Sequence, residues 1–148
     1  MLDRESFLEE LEHEVARATR NRRRLSVLVG QLGDPRQHDF VGRVAGALVD
    51  CAGAVLTEQK RQVDMVSVLG QGSFGLILPE TGEPGALVVA ERLQAAVASA
   101  LGVNAPRLSF GVATLGRHGL KPAALLRAAH RAATVEDLEL IDRPVAAG

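Results

Sequence analysis

The most constraining feature of the sequence is a pair of short apolar runs, joined by a glycine-rich turn, that together span Val66–Pro79 (VSVLGQGSFGLILP). Each run is too short for a typical helix and is rich in residues that favour strands. The turn between them, Gly70-Gln71-Gly72-Ser73, has the composition of a tight connection and contains no acidic side chain. The stretch therefore predicts a β-hairpin with strands Met65–Leu69 and Phe74–Leu78.

Apolar spacing and turn residues predict the other elements of the chain. Helices are predicted over Asp3–Asn21, with Asp3 as N-cap, over His38–Lys60, with a break near Gly53 left open, over Pro84–Leu101 and over Pro122–Val135; strands are predicted over Leu25–Val29, Leu108–Leu115 and, as a short edge strand, Leu138–Ile141. This order predicts an α+β fold similar to the ferredoxin-like palm, a mixed sheet with helices on one face. Residues 143–148 are predicted to form a flexible tail.

Composition limits the classes of protein that the chain can belong to. Its 148 residues, 47% of them hydrophobic, suffice for one core and predict a single domain. Seventeen basic residues balance eighteen acidic ones, which does not favour a nucleic-acid partner. One cysteine, no basic and apolar leader and no long apolar run predict a cytoplasmic protein without a membrane span. The 15 Arg against 2 Lys suggest a bacterium with a GC-rich genome.

Several blocks of sequence follow one another in the order of a known family, and their shared order and spacing are specific. The blocks are Glu14–Ala18, Leu25–Val29, Leu76–Thr81, Ala90–Leu93, Leu108–Ala113 and Leu125–Ala129, with the hairpin turn between the second and the third. Through them, residues 1–142 resemble the GGDEF domain of bacterial diguanylate cyclases, which make cyclic di-GMP from two GTP molecules.

Two positions of the family's signature are kept and the acidic ones are replaced. Gly70 and Phe74 match the hairpin signature, whereas Gly72 and Ser73 stand where the resemblance implies Asp and Glu, and Gln31 stands at the metal-binding Asp of the first strand. Mg²⁺ prefers hard, charged oxygen ligands, and a neutral amide and a hydroxyl do not offset triphosphate charge. The resemblance therefore predicts a degenerate domain that is not an enzyme and has no metal or cofactor.

Other parts of the family pattern are also changed. Asp34 and Asp39 are the nearest acids to the first strand; they are interpreted as a turn residue and a helix N-cap, and a role as substitute ligands stays open. The guanine-binding segment after the first strand is shortened, and Asp137 replaces a phosphate-contacting lysine. The histidines lack the spacing of metal ligands within one element.

One ligand site of the family has a match. Arg61-Gln62-Val63-Asp64 resembles the RxxD site at which family members bind their product, cyclic di-GMP, because Arg61 could bind phosphate or guanine and Asp64 could accept from guanine. The alternative is an ordinary Arg–Asp pair at i and i+3. Two fixed residues in four make a weak pattern.

Three functions follow from these observations. The first is a regulatory module that binds a protein partner or a second copy of itself, with the neutral residues Gln71 and Ser73 easing burial of the old active-site face. The alternative is a cyclic di-GMP receptor that uses Arg61 and Asp64. A residual GTP-using enzyme is the third and least favoured.

Overall fold

The computed structural model describes residues 1–33, 46–70, 72–102, 104–134 and 144–147. The helices are α1 (Arg4–Asn21), α2 (Gly46–Gln59), α3 (Glu83–Leu101) and α4 (Pro122–Ala133). The strands are β1 (Leu25–Leu32), β2 (Met65–Gly70), β3 (Ser73–Pro79), β4 (Leu108–Thr114) and β5 (Val145–Ala146).

The five strands form one sheet in the order β2-β3-β1-β4-β5. Neighbouring strands are antiparallel except β4 and β5, which are parallel. The sheet is therefore mixed, and the predicted α+β fold is confirmed. The hairpin is confirmed as well, with strands one or two residues longer than predicted; Gln71 lies outside the described residues.

Helices cover both faces of the sheet, so the prediction of one covered face was wrong. Leu28 and Leu32 of β1 belong to a core that also contains residues of α2 and α3, whereas Val27 and Val29 belong to a core with α1 and α4. Every residue of β1 is buried. A central strand that is buried along its whole length is covered on both sides, and the run Leu25–Val29 was a sign of this.

The N-terminus of α1 is capped as predicted. The backbone N–H of Ser6 donates to Asp3 Oδ1 at 2.7 Å. This bond, together with one from the Ser6 side chain, lowers the pKa of Asp3. The helix predicted over His38–Lys60 is present as α2 from Gly46, and its earlier part, like the predicted strand Leu138–Ile141, lies outside the described residues.

Part of the predicted flexible tail is ordered against the sheet. Val145 and Ala146 pair with Gly111 and Val112, and the Ala147 N–H donates to the Val112 carbonyl at 2.8 Å. Ala147 is buried in the core formed with α1 and α4. Small apolar residues at the end of the chain therefore extend the sheet beside β4. Among the described residues, no helix is both long and apolar enough to cross a membrane.

Candidate functional site

The two positions that resemble metal-ligand positions of the family are neighbours across the sheet. Gln31 near the end of β1 is paired with Ser73 at the start of β3. Directly opposite residues of an antiparallel pair have Cβ atoms about 4.5–5.5 Å apart. The register therefore places the end of β1 beside the hairpin turn. Gly70 is the last residue of β2. Phe74, directly after the turn, is fully buried in the core.

Gln31 and Ser73 open into a pocket of about 620 Å³ between the sheet, the start of α1 and the outer side of α4. Its other lining residues are Val29, Leu69, Leu8 and Leu126, which are apolar, and Arg4, Arg127, His130 and Arg131, which are basic. None of the described residues that line the pocket is acidic. The pocket is therefore a partly apolar cleft with a positive rim.

The cationic side chains of this pocket have few competing partners. In the described part of the chain, Arg4, Arg127 and Arg131 take part in no ion pair. Arg4 Nη1 donates to the Leu69 carbonyl at 2.7 Å, which fixes that guanidinium beside the hairpin. Arg127 and Arg131 lie one turn apart on the exposed side of α4. Sequence reasoning missed this cluster, because it joins residues 4 and 131; the i, i+4 spacing on α4 was the available signal.

The metal that the family resemblance implies does not fit these residues. Gln31 and Ser73 bring no negative charge, and within the described ranges no three His, Cys, Asp or Glu side chains converge. Gly72 adopts a left-handed conformation with φ of 66°, which suits glycine better than an acidic residue. Asp34, Asp39 and Asp137 lie outside the described residues.

Arg61 and Asp64 form a bidentate ion pair. Arg61 Nε and Nη2 donate to the two Asp64 carboxylate oxygens at 2.8 and 2.7 Å, and the Arg61 backbone N–H donates to Asp64 Oδ2 at 3.1 Å. The Asp64 side chain is 0% exposed, whereas that of Arg61 is 39% exposed. The side-chain hydrogen bond to Asp64 raises the pKa of Arg61, against the effect of partial burial.

The pair is tied to the rest of the fold through Thr81. Arg61 Nη2 donates to Thr81 Oγ1 at 2.8 Å, and the Ser26 hydroxyl donates to the Thr81 carbonyl at 2.7 Å. Ser26 lies near the beginning of β1, five residues before Gln31, a distance of roughly 17 Å along the strand. The Arg61–Asp64 pair and the cationic pocket therefore occupy opposite ends of the sheet. Arg92 Nη2 donates to the carbonyl of Gln59, two residues before Arg61, at 3.1 Å.

Comparison with known proteins identifies the family. Residues 1–137 match the family model described as diguanylate cyclase, GGDEF domain. The chain therefore belongs to the GGDEF domain family, as the sequence blocks predicted. No match is found among curated proteins.

Solved structures show the same fold. The GGDEF domain of DgcB from Caulobacter crescentus in complex with c-di-GMP has a TM-score of 0.84 at 17% identity, over 99% of this chain and 91% of that one. The active GGEEF domain of a diguanylate cyclase from Vibrio cholerae has a TM-score of 0.83 at 16% identity, over 99% and 97%. Diguanylate cyclase SiaD in complex with its activator SiaC, from Pseudomonas aeruginosa, has a TM-score of 0.78 at 23% identity, over 98% and 58%.

The prediction that the chain is not an enzyme is corrected by these findings. The family that its residues match is that of diguanylate cyclases, and one of the similar structures is an active domain. The prediction rested on the replaced acidic positions Gln31, Gly72 and Ser73, on the shortened segment after the first strand and on Asp137. The replaced residues show which side chains stand at those positions, but the chain still belongs to a family of enzymes.

Proposed function

We propose that this GGDEF domain acts in cyclic di-GMP signalling as a regulatory module that binds a protein partner. The binding surface is the face that contains the pocket beside Gln31 and Ser73. The observation that carries the proposal is the composition of this face, where apolar side chains surround two neutral polar ones. None of the described lining residues is a carboxylate, so a partner that binds there buries no unpaired acidic side chain of the described lining.

Leu8 and Leu126 give this face its contact surface. Leu8 is 36% exposed on the first turns of α1, and Leu126 is half-buried on α4. Apolar contacts framed by arginine are typical of the centre of protein interfaces. Diguanylate cyclase SiaD, part of which has the same fold, is solved in complex with its activator SiaC. A second copy of the chain is one candidate partner.

Leu8→Asp is expected to abolish partner binding through this face. An aspartate in the interface would be desolvated without a counterion, whereas in the free protein it would stay in water. The measurement is affinity capture of the full chain's partners from its source organism, with native mass determination for self-association.

The matched control is Val88→Asp, because Val88 is 65% exposed on α3, which packs on the opposite face of the sheet. A partner that is retained by the wild type and by Val88→Asp and lost from Leu8→Asp supports the proposal. Equal capture by all three proteins, or an inert monomer that captures nothing, would contradict it.

A second candidate function is reception of cyclic di-GMP at Arg61 and Asp64. The observation that favours it is the geometry of Arg61, whose guanidinium is held in place by Asp64 and Thr81 while 39% of the side chain is exposed. A guanidinium held in advance loses little entropy when it binds a phosphate or a guanine edge. Because Asp64 is fully buried, its expected role is to position Arg61.

Calorimetric titration with cyclic di-GMP tests this candidate. Micromolar binding is expected for the wild type, with about tenfold weaker binding for Arg61→Lys, which keeps the charge but loses the planar fork. Arg117→Lys is the control, since Arg117 pairs with Glu83 elsewhere on the surface. If no heat of binding is measured at high cyclic di-GMP concentration, the receptor function is contradicted and only the protein-binding proposal remains.

A further inference from the structure

We infer that one end of the sheet binds the surface of a lipid bilayer that contains anionic phospholipids. This surface, the basic end, consists of the four connections at residues 22–24, 60–64, 80–82 and 115–121, which lie between α1 and β1, α2 and β2, β3 and α3, and β4 and α4. It lies at the opposite end of the sheet from the pocket beside Gln31 and Ser73. The inference therefore goes beyond the proposed partner binding and concerns a different kind of partner.

The strand register places the four connections side by side. Leu25 at the start of β1 is paired with Pro79 at the end of β3, and Thr114 at the end of β4 is paired with Ser26. Strand β2 begins at Met65, beside the same end of β3. Neighbouring strands lie about 4.8 Å apart, so the row of connections from β2 to β4 is roughly 14 Å wide. The connections therefore leave the sheet at nearly one level, which is what contact with a plane requires.

The basic end has an excess of positive charge, although the whole chain has a net charge of −1. All residues of the four connections are described by the structure, so their charges can be counted directly. They comprise seven basic and two acidic residues: Arg22, Arg23, Arg24, Lys60, Arg61, Arg117 and Lys121 against Asp64 and Glu80. Each Lys or Arg that is held close to an anionic membrane surface strengthens binding by about fivefold.

Several of these cations have no partner of opposite charge within the described ranges. Arg22, Arg24 and Lys121 are exposed and take part in no described ion pair. The pair of Arg23 with Glu80 is long, at 3.8 Å, and both side chains are more than half exposed, so it holds Arg23 only weakly. The charge of the basic end is therefore available to an external anionic surface.

Two large apolar side chains are exposed among these cations. Leu120 is 70% exposed directly before Lys121, and Val63 is 59% exposed in the connection between α2 and β2. A single exposed apolar side chain needs no explanation. Apolar side chains beside Lys and Arg suit the interface of an anionic bilayer, because the apolar groups enter between the lipid headgroups while the cations contact the phosphates.

The same features fit other anionic partners less well. Single-stranded nucleic acid is bound by stacking on aromatic side chains, but the chain has no Trp or Tyr, and the described Phe residues, Phe7, Phe74 and Phe110, are fully buried. Protein interfaces have a contiguous apolar centre. Here Val63 and Leu120 belong to the two outermost connections of the row. A bilayer accepts separate apolar contacts at one level, so it is the favoured partner.

Co-sedimentation of the full chain with lipid vesicles tests the inference. Vesicles of phosphatidylcholine are compared with vesicles of phosphatidylcholine and phosphatidylglycerol in equal amounts. Binding is expected for the mixed vesicles alone, and added salt should weaken it, because salt screens exposed charges. Arg22→Gln and Arg24→Gln should each weaken binding by about fivefold. The matched control is Arg107→Gln, which removes an exposed arginine before β4, at the opposite end of the sheet, and should bind as the wild type does.

A tryptophan at position 120 reports whether this connection enters the bilayer, because the wild-type chain contains no Trp. The fluorescence of Leu120→Trp is expected to shift to the blue with mixed vesicles and to stay unchanged with phosphatidylcholine alone. The control is Leu8→Trp, whose spectrum should stay unchanged with both. Leu8 lies thirteen residues before Asn21 on α1, roughly 20 Å from the basic end along the helix.

Absence of binding to the mixed vesicles at low salt, equal binding to both kinds of vesicle, or equal loss in Arg22→Gln and Arg107→Gln would overturn the inference. An unshifted Leu120→Trp spectrum on mixed vesicles would overturn it as well. Capture of an acidic protein by a chain that ignores the vesicles would assign the basic end to that protein instead. Since the substituted side chains are exposed, thermal unfolding should show intact folds. The Leu8→Asp capture experiment concerns another surface and can succeed or fail independently.

Discussion

Gly111→Ala is expected to destabilise the protein by about 3 kcal/mol or more, through a clash that α4 cannot avoid. A Cβ atom at Gly111 would collide with the carbonyl oxygen of Ala129 and lie 2.5 Å from Ala133 N and 2.8 Å from Ala132 Cβ. Two of these atoms are backbone, so no side-chain rotation relieves the contact. The whole helix would have to move away from β4, opening the core between them. Thermal unfolding followed by circular dichroism should show a midpoint lowered by roughly 10 °C.

Gly46→Ala is the control for this change. No described atom lies within 4 Å of a Cβ at Gly46, on the first turn of α2, and alanine is the better helix former, so the midpoint should stay or rise slightly. A Gly111→Ala protein as stable as the wild type would show that α4 is not packed on β4 as closely as described.

Arg61→Ala is expected to destabilise the protein by about 3 kcal/mol, more than Asp64→Asn does. Without Arg61, the buried Asp64 carboxylate keeps the backbone N–H of residue 61 as its remaining described donor, and a buried charge without a counterion is costly. Without the Asp64 charge, Arg61 can still donate to Thr81 and reach water. The expected difference between the two variants is about 1 kcal/mol or more.

Chemical denaturation of both variants and of the double variant measures this asymmetry as a free energy of unfolding. The control is Arg117→Ala, which breaks the exposed pair with Glu83 at 2.6 Å and should cost at most about 1 kcal/mol. Equal effects of Arg61→Ala and Arg117→Ala would mean that the Arg61–Asp64 pair is an ordinary surface ion pair. Greater loss in Asp64→Asn than in Arg61→Ala would contradict the assigned burial.

The secondary structure was accessible from sequence because its signals are local. The two short apolar runs of the hairpin, the cap at Asp3 and the apolar spacing of α1 and α3 are each local in sequence. Residues 145–147, which the sequence assigned to the tail, lie beside β4 through hydrogen bonds to a strand more than thirty residues away in sequence. The coverage of both sheet faces was missed, although the apolar run Leu25–Val29 contained the information.

Only part of the candidate site could be predicted from the sequence. Gln31 and Ser73 were each selected because they stand at metal-ligand positions of the family, and the β1–β3 register makes them neighbours. The pairing of Arg61 with Asp64 follows from i, i+3 spacing, whereas the burial of Asp64 and the bond to Thr81 depend on a turn 20 residues away. The basic residues that line the pocket were not predicted. The prediction that the chain is not an enzyme was based on replaced residues and took no account of the side chains around them.

By itself, the sequence determined the family, the order of helices and strands, and the absence of acidic side chains at Gln31, Gly72 and Ser73. Only the tertiary structure decided that arginines from α1 and α4 surround those neutral positions. It also decided that Asp64 is buried while Arg61 reaches the surface. The physical reason is that local patterns specify elements, whereas the charge of a pocket is the sum over side chains that packing brings together from distant parts of the chain.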